Sequence, residues 1–494
     1  MKLFFHSVFV FIFYFPAYTF GNFDYNSNCK KAYSNVLCLK LNEAREVIKL
    51  EKSKNPDNSV SISLENYIDF FSLFCSENRE QFEKLKKFKD LRIARLEKES
   101  KNSPWYRYSI ADIHIQWAIT RFKFQENATA AFELNKAYKL LNENQRLYPA
   151  FTPNLKGLGI LNVLLGSLPE NYQQLLQKVG MRGNTKVGIN MLLKLAELEK
   201  SSSFYFLNQE SVLYLSFIST DLLKNENNNI PILFLINRLP SDNLLKTYLL
   251  AKNFARNAKN DEVIKVLAVR PTGVEFEPFY HLDYMMGIAK LNKLDSTGSV
   301  YLNRFVLFYK GIYFIKDAYL KLSWYSLLDG KSAEFKKFRL LALEKGYSFS
   351  EKDKQAITEC KTGDTPNTEL LKARLLFDGG YFQQAESVLL IKNSFKKATH
   401  QTEYNYRMGR IYQAEAKFQK AITFYSKLIH ESSGQKNYFA SNSALQMGII
   451  YEFLNKKVDA TYYYELCLSM KDHEYKNSID SQAKIGLKRL KSKN

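Results

Sequence analysis

Apolar residues return every three or four positions along most of the chain. "NREQFEKLKKFKDLRIARLEKES" places Phe82, Leu85, Phe88, Leu91, Ile93 and Leu96 at the spacing of an amphipathic helix. "IADIHIQWAITRFKF" does the same with Ile113, Trp117, Ile119 and Phe122, and "TAAFELNKAYKLLNENQRLYP" follows it to a stop at Pro149. Breaks are few. "VRPTGVEFEPFYHLDYMMG" reads as a loop before a new helix, and "SFSEKDKQAITECKTGDTPNTE" interrupts the chain near 347–368. The pattern predicts an all-α protein divided into a helical region over 22–100, a divergent helical-repeat domain over 101–346, a linker over 347–367 and a repeat domain with a cap helix over 368–494.

The stretch 151–184 departs from this rhythm. Its apolar run, Leu158 to Leu168, is interrupted by Gly159 and Gly166, ended by Pro169, and too short to span a bilayer. The glycines fit a helix packed at close backbone approach. A membrane-touching or partner-docking insertion is the alternative.

Three segments carry an internal repeat: "LLKARLLFDGGYFQQAESVLL", "YRMGRIYQAEAKFQKAITFYSKL" and "LQMGIIYEFLNKKVDATYYYELCL". Ala373, Gly409 and Gly448 form one column, 36 and 39 residues apart. Ala385, Ala421 and Ala460 form a second, Leu376, Tyr412 and Tyr451 a third, and Leu389, Tyr425 and Tyr464 a fourth. A small residue midway along one helix and another at the start of the next let two helices cross closely, with large residues filling the contact. Such a pair cannot bury its apolar face alone, so copies stack.

These columns resemble the tetratricopeptide repeat over 365–470, with Asn455 in place of the turn glycine. Gly486 in "SQAKIGLKRL" looks like part of the cap helix such a stack needs. Residues 104–346 look similar to secreted tetratricopeptide proteins of Bacteroidetes-type bacteria through "IQWAITRFKF", "AYKLLNENQRLYPAFTPNLKGLGILNVLLGSLPENY" and "YKGIYFIKDAYLKLSWYSLL". The resemblance implies an α-α superhelix, a tetratricopeptide-like solenoid with divergent N-terminal repeats. It implies no reaction.

The start, "MKLFFHSVFVFIFYFPAYTFGN", has one Lys before an apolar run, then Pro16 and small residues. That is the layout of a secretory signal peptide over 1–21, and an uncleaved anchor is the alternative. Cleavage would leave the mature chain extracytoplasmic, in the periplasm or cell envelope. Five cysteines at irregular spacing make no disulfide framework, though Cys29 and Cys38 could pair. The formal charge of +21 fits attraction to acidic glycans, anionic lipid or nucleic acid, and it equally fits a chain rich in Lys, Asn, Tyr, Phe and Ile together, as AT-rich coding sequence produces. Its Lys residues are dispersed and no nucleic-acid motif accompanies them, so nucleic acid is not the expected partner.

No GxSxG, HExxH, Walker loop or GxGxxG is present, and no cofactor or metal is expected. His114 reads as an ordinary packed His. Glu275, Glu277, His281 and Asp283 cluster in sequence, but as a metal or hydrolytic site the group is weak against ordinary helix-capping charges. The expected role is a non-catalytic interaction scaffold. An envelope polysaccharide-acting enzyme on a helical solenoid and a membrane-associated assembly factor are the alternatives. In a tetratricopeptide stack the first helices line a concave groove, and counting from the small-residue column assigns Arg374, Phe377, Tyr406, Arg410, Gln413, Ile449 and Phe453 to it. Two Arg at equivalent places beside aromatics suit a protein or peptide partner with an acidic segment.

Overall fold

A computed structural model describes residues 23–178, 180–223, 230–391, 395–431, 438–471 and 473–492. The apolar leader, 1–21, lies outside them. The protein is all-α, with no strand among the described residues. Helix starts follow local chemistry. The Asn78 side chain accepts the amide of Gln81, Ser103 caps a helix whose first residue is Pro104, and Asn367 accepts the amides of Glu369 and Leu370.

One backbone device recurs. A residue in the left-handed region ends the first helix of a hairpin, and the next amide reaches back five residues to a carbonyl. It occurs at Leu39, Gln125, Ala258, Leu294, Gly330, Gly380, Ala416 and Asn455. The closing bonds are 2.8–3.0 Å long, for example Lys417 to Tyr412, Lys331 to Ser326 and Lys259 to Phe254. The hairpin is therefore the repeating unit well upstream of the three copies legible in sequence. Six of the eight positions hold a side chain, although glycine is the residue that adopts this conformation without steric cost.

The chain forms two compact units. The first runs to Lys246 and includes Pro271–Pro278; the second holds Thr247–Arg270 and Phe279 onward. In the first, the helix Asn154–Gly166 absorbs the odd apolar run: Leu158, Ile160, Leu161, Val163 and Leu165 are buried. Its Gly159 faces Gly188 of Thr185–Ala196. A Cβ on Gly188 would lie 2.5 Å from the Gly159 carbonyl, so the two helices touch backbone to backbone. No helix among the described residues is long and apolar enough to cross a membrane.

In the second unit the four columns become contacts. The residues of the second and fourth are fully buried. A Cβ at Gly409 would lie 2.5 Å from the Tyr425 ring, one at Gly448 2.6 Å from Tyr464, and one at Gly486 2.4 Å from Tyr464. Glycine in the first column thus pairs with tyrosine in the fourth. Ala373 instead goes with the smaller Leu389 in the same core cluster. Lys476–Ser492 covers the last hairpin with Ile479, Ala483 and Leu490. The polar stretch 347–367 contains the helix Glu351–Lys361. Its buried Asp353 accepts the amides of Phe314 at 2.8 Å, Lys316 at 3.1 Å and Asp317 at 3.2 Å.

Candidate binding groove

Thr368–Asp378, Ala398–Ala414 and Phe439–Phe453 are the first helices of three successive hairpins. Arg374 and Arg410 follow directly after the small residues of their columns. The Arg374 guanidinium lies 4.7 Å from the centre of the Trp324 ring and 3.4 Å from a Glu359 carboxylate oxygen. Glu359 also accepts the Trp324 indole N–H at 2.8 Å, so one carboxylate joins both. Arg410 is held differently. It lies 5.1 Å from the Phe377 ring centre and 5.9 Å from that of Tyr406, and donates to the Tyr406 hydroxyl at 3.0 Å. No ion pair of Arg410 is found among the described residues.

Arg374, Phe377, Tyr406 and Arg410 line one cleft of about 150 Å³, with Asp378, Arg407 and Tyr438. Arg374, Arg407 and Tyr438 also line a neighbouring polar cleft of about 280 Å³ that carries Glu359, Lys397, His400 and Glu403. There Arg407 donates from Nε to Glu403 at 2.8 Å, and Lys397 lies 3.4 Å from Asp364. The cations of this wall are matched by carboxylates, whereas Arg410 offers its guanidinium between two rings.

The other three positions counted from sequence lie elsewhere. Gln413 accepts the Tyr425 hydroxyl at 2.7 Å and donates to Gln446 of the next hairpin at 3.0 Å. Ile449 packs against the C-terminal core cluster. Phe453 is 70% exposed and meets Phe418, with ring centres 5.2 Å apart. Arg407 and Tyr438 were missed. Arg407 is one residue beyond Tyr406 in "YNYRMGR", and following a single line down the helix passed over it.

A buried ionic cluster in the first unit also escaped the sequence. Lys156, with no exposed surface, lies 2.8 Å from Asp112 and 2.9 Å from the equally buried Glu210. Tyr67 donates to Asp112 at 2.6 Å and Gln116 to the same carboxylate at 3.1 Å, while the Tyr33 hydroxyl bonds Glu210. Burial works against the Lys156 charge, but Asp112 and Glu210 outweigh it and hold the ammonium above its usual range. Without access this cluster meets no substrate. His114 is packed as expected, its Nδ1 on Glu133, which Lys89 also contacts. Burial would raise the Glu133 carboxyl; the His114 and Lys89 bonds bring it down to about 2.

The 275–283 cluster does not assemble. Glu277 accepts the Ser72 hydroxyl at 2.6 Å, and Asp283 is paired with Arg270 at 2.6 Å and Arg304 at 3.1 Å. The helix begins at His281, so Glu277 does not share its face. Among the described residues no group of three or more His, Cys, Asp or Glu could hold a metal ion. All five cysteines are buried and free, Cys29 and Cys38 included.

The helices and their recurring turn define an all-α protein built of repeated helical hairpins. No family model matches the sequence, and no curated protein matches it. Among solved structures, a monomeric mutant of IFIT1 with Gppp-AAAA aligns over 95% of this chain and 96% of that one at 14% identity. The TM-score of 0.32 is too low to compare the two folds.

Proposed function

We propose that the protein is a non-catalytic scaffold whose groove takes an acidic segment of a protein partner. One observation carries the reading: Arg410 presents a positive charge between two aromatic walls, without an ion pair among the described residues. A guanidinium remains charged in such a place and offers a planar fork of donors to a carboxylate. Because the neighbouring Arg374 and Arg407 already hold carboxylates, the cleft suits one discrete acidic group better than a run of phosphates. Phe377 and Tyr406 supply the apolar contact on either side.

The leader at 1–21 supports a place in the bacterial periplasm or cell envelope for the mature chain. A bilayer or partner contact through 151–184 has a narrow basis, the exposed Leu168, Tyr172 and Leu175, since the rest of that apolar run is packed.

The test is recovery of envelope proteins on the purified full chain and on Arg410→Gln. Arg410→Gln removes the charge without touching the Arg374–Glu359 pair, so its melting temperature should stay within a few degrees of wild type. Loss of one partner recovered at fixed stoichiometry is the expected result. Equal recovery by the variant, or selective retention of RNA instead of protein, overturns the reading.

A further inference from the structure

We infer that the first unit holds a separate binding site for one uncharged hydrocarbon chain. Val60–Ser76, Pro104–Lys123, Asn154–Gly166 and Asn208–Phe217 line a half-open pocket of about 320 Å³. Phe70, Phe74, Ile119, Val163, Leu164 and Phe217 give it an almost wholly apolar wall. The volume is roughly twice the ~150 Å³ that takes one benzene ring, which sets the occupant at about a dozen heavy atoms.

Water is held poorly here, because an ordered water needs two to four polar partners and this wall is almost wholly apolar. Two polar groups of this wall, Thr120 and Lys123, are engaged within the protein. The Thr120 hydroxyl donates to the Gln116 carbonyl at 2.8 Å, and Lys123 lies 2.6 Å from Glu77 with its ammonium 4.7 Å from the Phe74 ring centre. An apolar molecule that fills the pocket takes this wall out of water and gains dispersion contacts with it.

Charge then selects among apolar molecules. The cation of the lining, Lys123, is matched by Glu77. A carboxylate headgroup would have to compete with Glu77 for Lys123. An alcohol or another neutral head would not. Part of the wall is a π-helical turn, Ile218–Leu222. Such turns are rare and concentrate at functional sites.

The probe is 1-decanol, titrated into the full chain by calorimetry against decanoate at neutral pH. One decanol per chain is expected, with decanoate at least tenfold weaker. Leu164→Trp and Ile119→Phe each put bulk into the pocket from a half-buried wall position, and each should weaken decanol at least tenfold. Circular dichroism checks that each variant folds, and either one suffices. A second arm offers vesicles of phosphatidylcholine with a labelled ten-carbon chain. Transfer that the filled variants lose makes a bilayer lipid the source; decanol binding without transfer makes it a free small molecule. No saturable decanol binding, binding indifferent to a folded filled variant, or decanoate equal to decanol overturns the inference.

Discussion

Where Asn154–Gly166 meets Pro104–Lys123 in the first unit, the contact is made by a buried ammonium and its carboxylates, Lys156 with Asp112 and, from a third helix, Glu210. Where Ala398–Ala414 meets Phe418–Glu431 in the second, it is made by a missing side chain and a ring, Gly409 and Tyr425. The first kind of joint depends on partners that satisfy one another; each alone would be an uncompensated charge in a dry interior. The second depends on shape, and its strength comes from filled volume. A charge network can be neutral in net stability and still be intolerant of losing one member. A shape joint loses stability in proportion to the misfit.

The comparison breaks first at Lys156. Lys156→Met leaves two buried carboxylates without their cation and should destabilise the first unit by about 3–5 kcal/mol. Replacing all three charged residues with apolar ones of similar volume should recover most of that loss. Urea unfolding of the single and triple variants measures both. If Lys156→Met costs less than the glycine change below, the two joints do not differ in the way described.

Acid gives the second test. Glu133 is held down to about 2 in the folded protein by His114 and Lys89, against an unfolded value near 4.5. A depressed carboxyl contributes stability above its unfolded pKa, and this is lost as pH falls from about 4.5 through about 2. The full contribution is ~3 kcal/mol. Unfolding free energy measured across that window should fall in the wild type and fall less steeply in Glu133→Gln. The second unit's small-and-large contacts carry no such titration.

The smallest expected effect sharpens the shape joint. Gly409→Leu drives a side chain into the Tyr425 ring and should cost about 1–3 kcal/mol by thermal or urea unfolding. In the first copy the larger Ala373 stands in the column of Gly409, and the smaller Leu389 in the column of Tyr425. Gly409→Ala should therefore be better tolerated with Tyr425→Leu than without it. A double variant no more stable than Gly409→Ala alone would mean that the columns do not trade volume.

The same contrast explains what could be read from the chain. The C-terminal repeats were legible because a shape joint constrains residue type: Gly, Ala and Tyr must recur at fixed spacing. Upstream hairpins close with the same backbone turn, but Leu39, Gln125 and Leu294 occupy positions where glycine would have marked it. Lys156 reads as a solvated lysine because nothing in its neighbours reveals Glu210, 54 residues on. In the groove, Arg374 and Arg410 were placed by column. Gln413 was counted as a groove residue without the phenol that claims its side chain, since that bond spans two helices.

That phenol also limits how the array can change length. Gln413 receives the Tyr425 hydroxyl and passes its own amide to Gln446. The equivalent residue one repeat later, Glu452, receives the Tyr464 hydroxyl at 2.7 Å and takes Arg489 of the cap in a two-pronged pair at 3.0 and 2.8 Å. Excising the last hairpin would bring Gln413 to the cap, an uncharged amide before an arginine that needs a carboxylate. The last two repeats share a plan without being interchangeable: Gln413 and Glu452 each match what comes next, so loss of the last copy requires a matching substitution at the border.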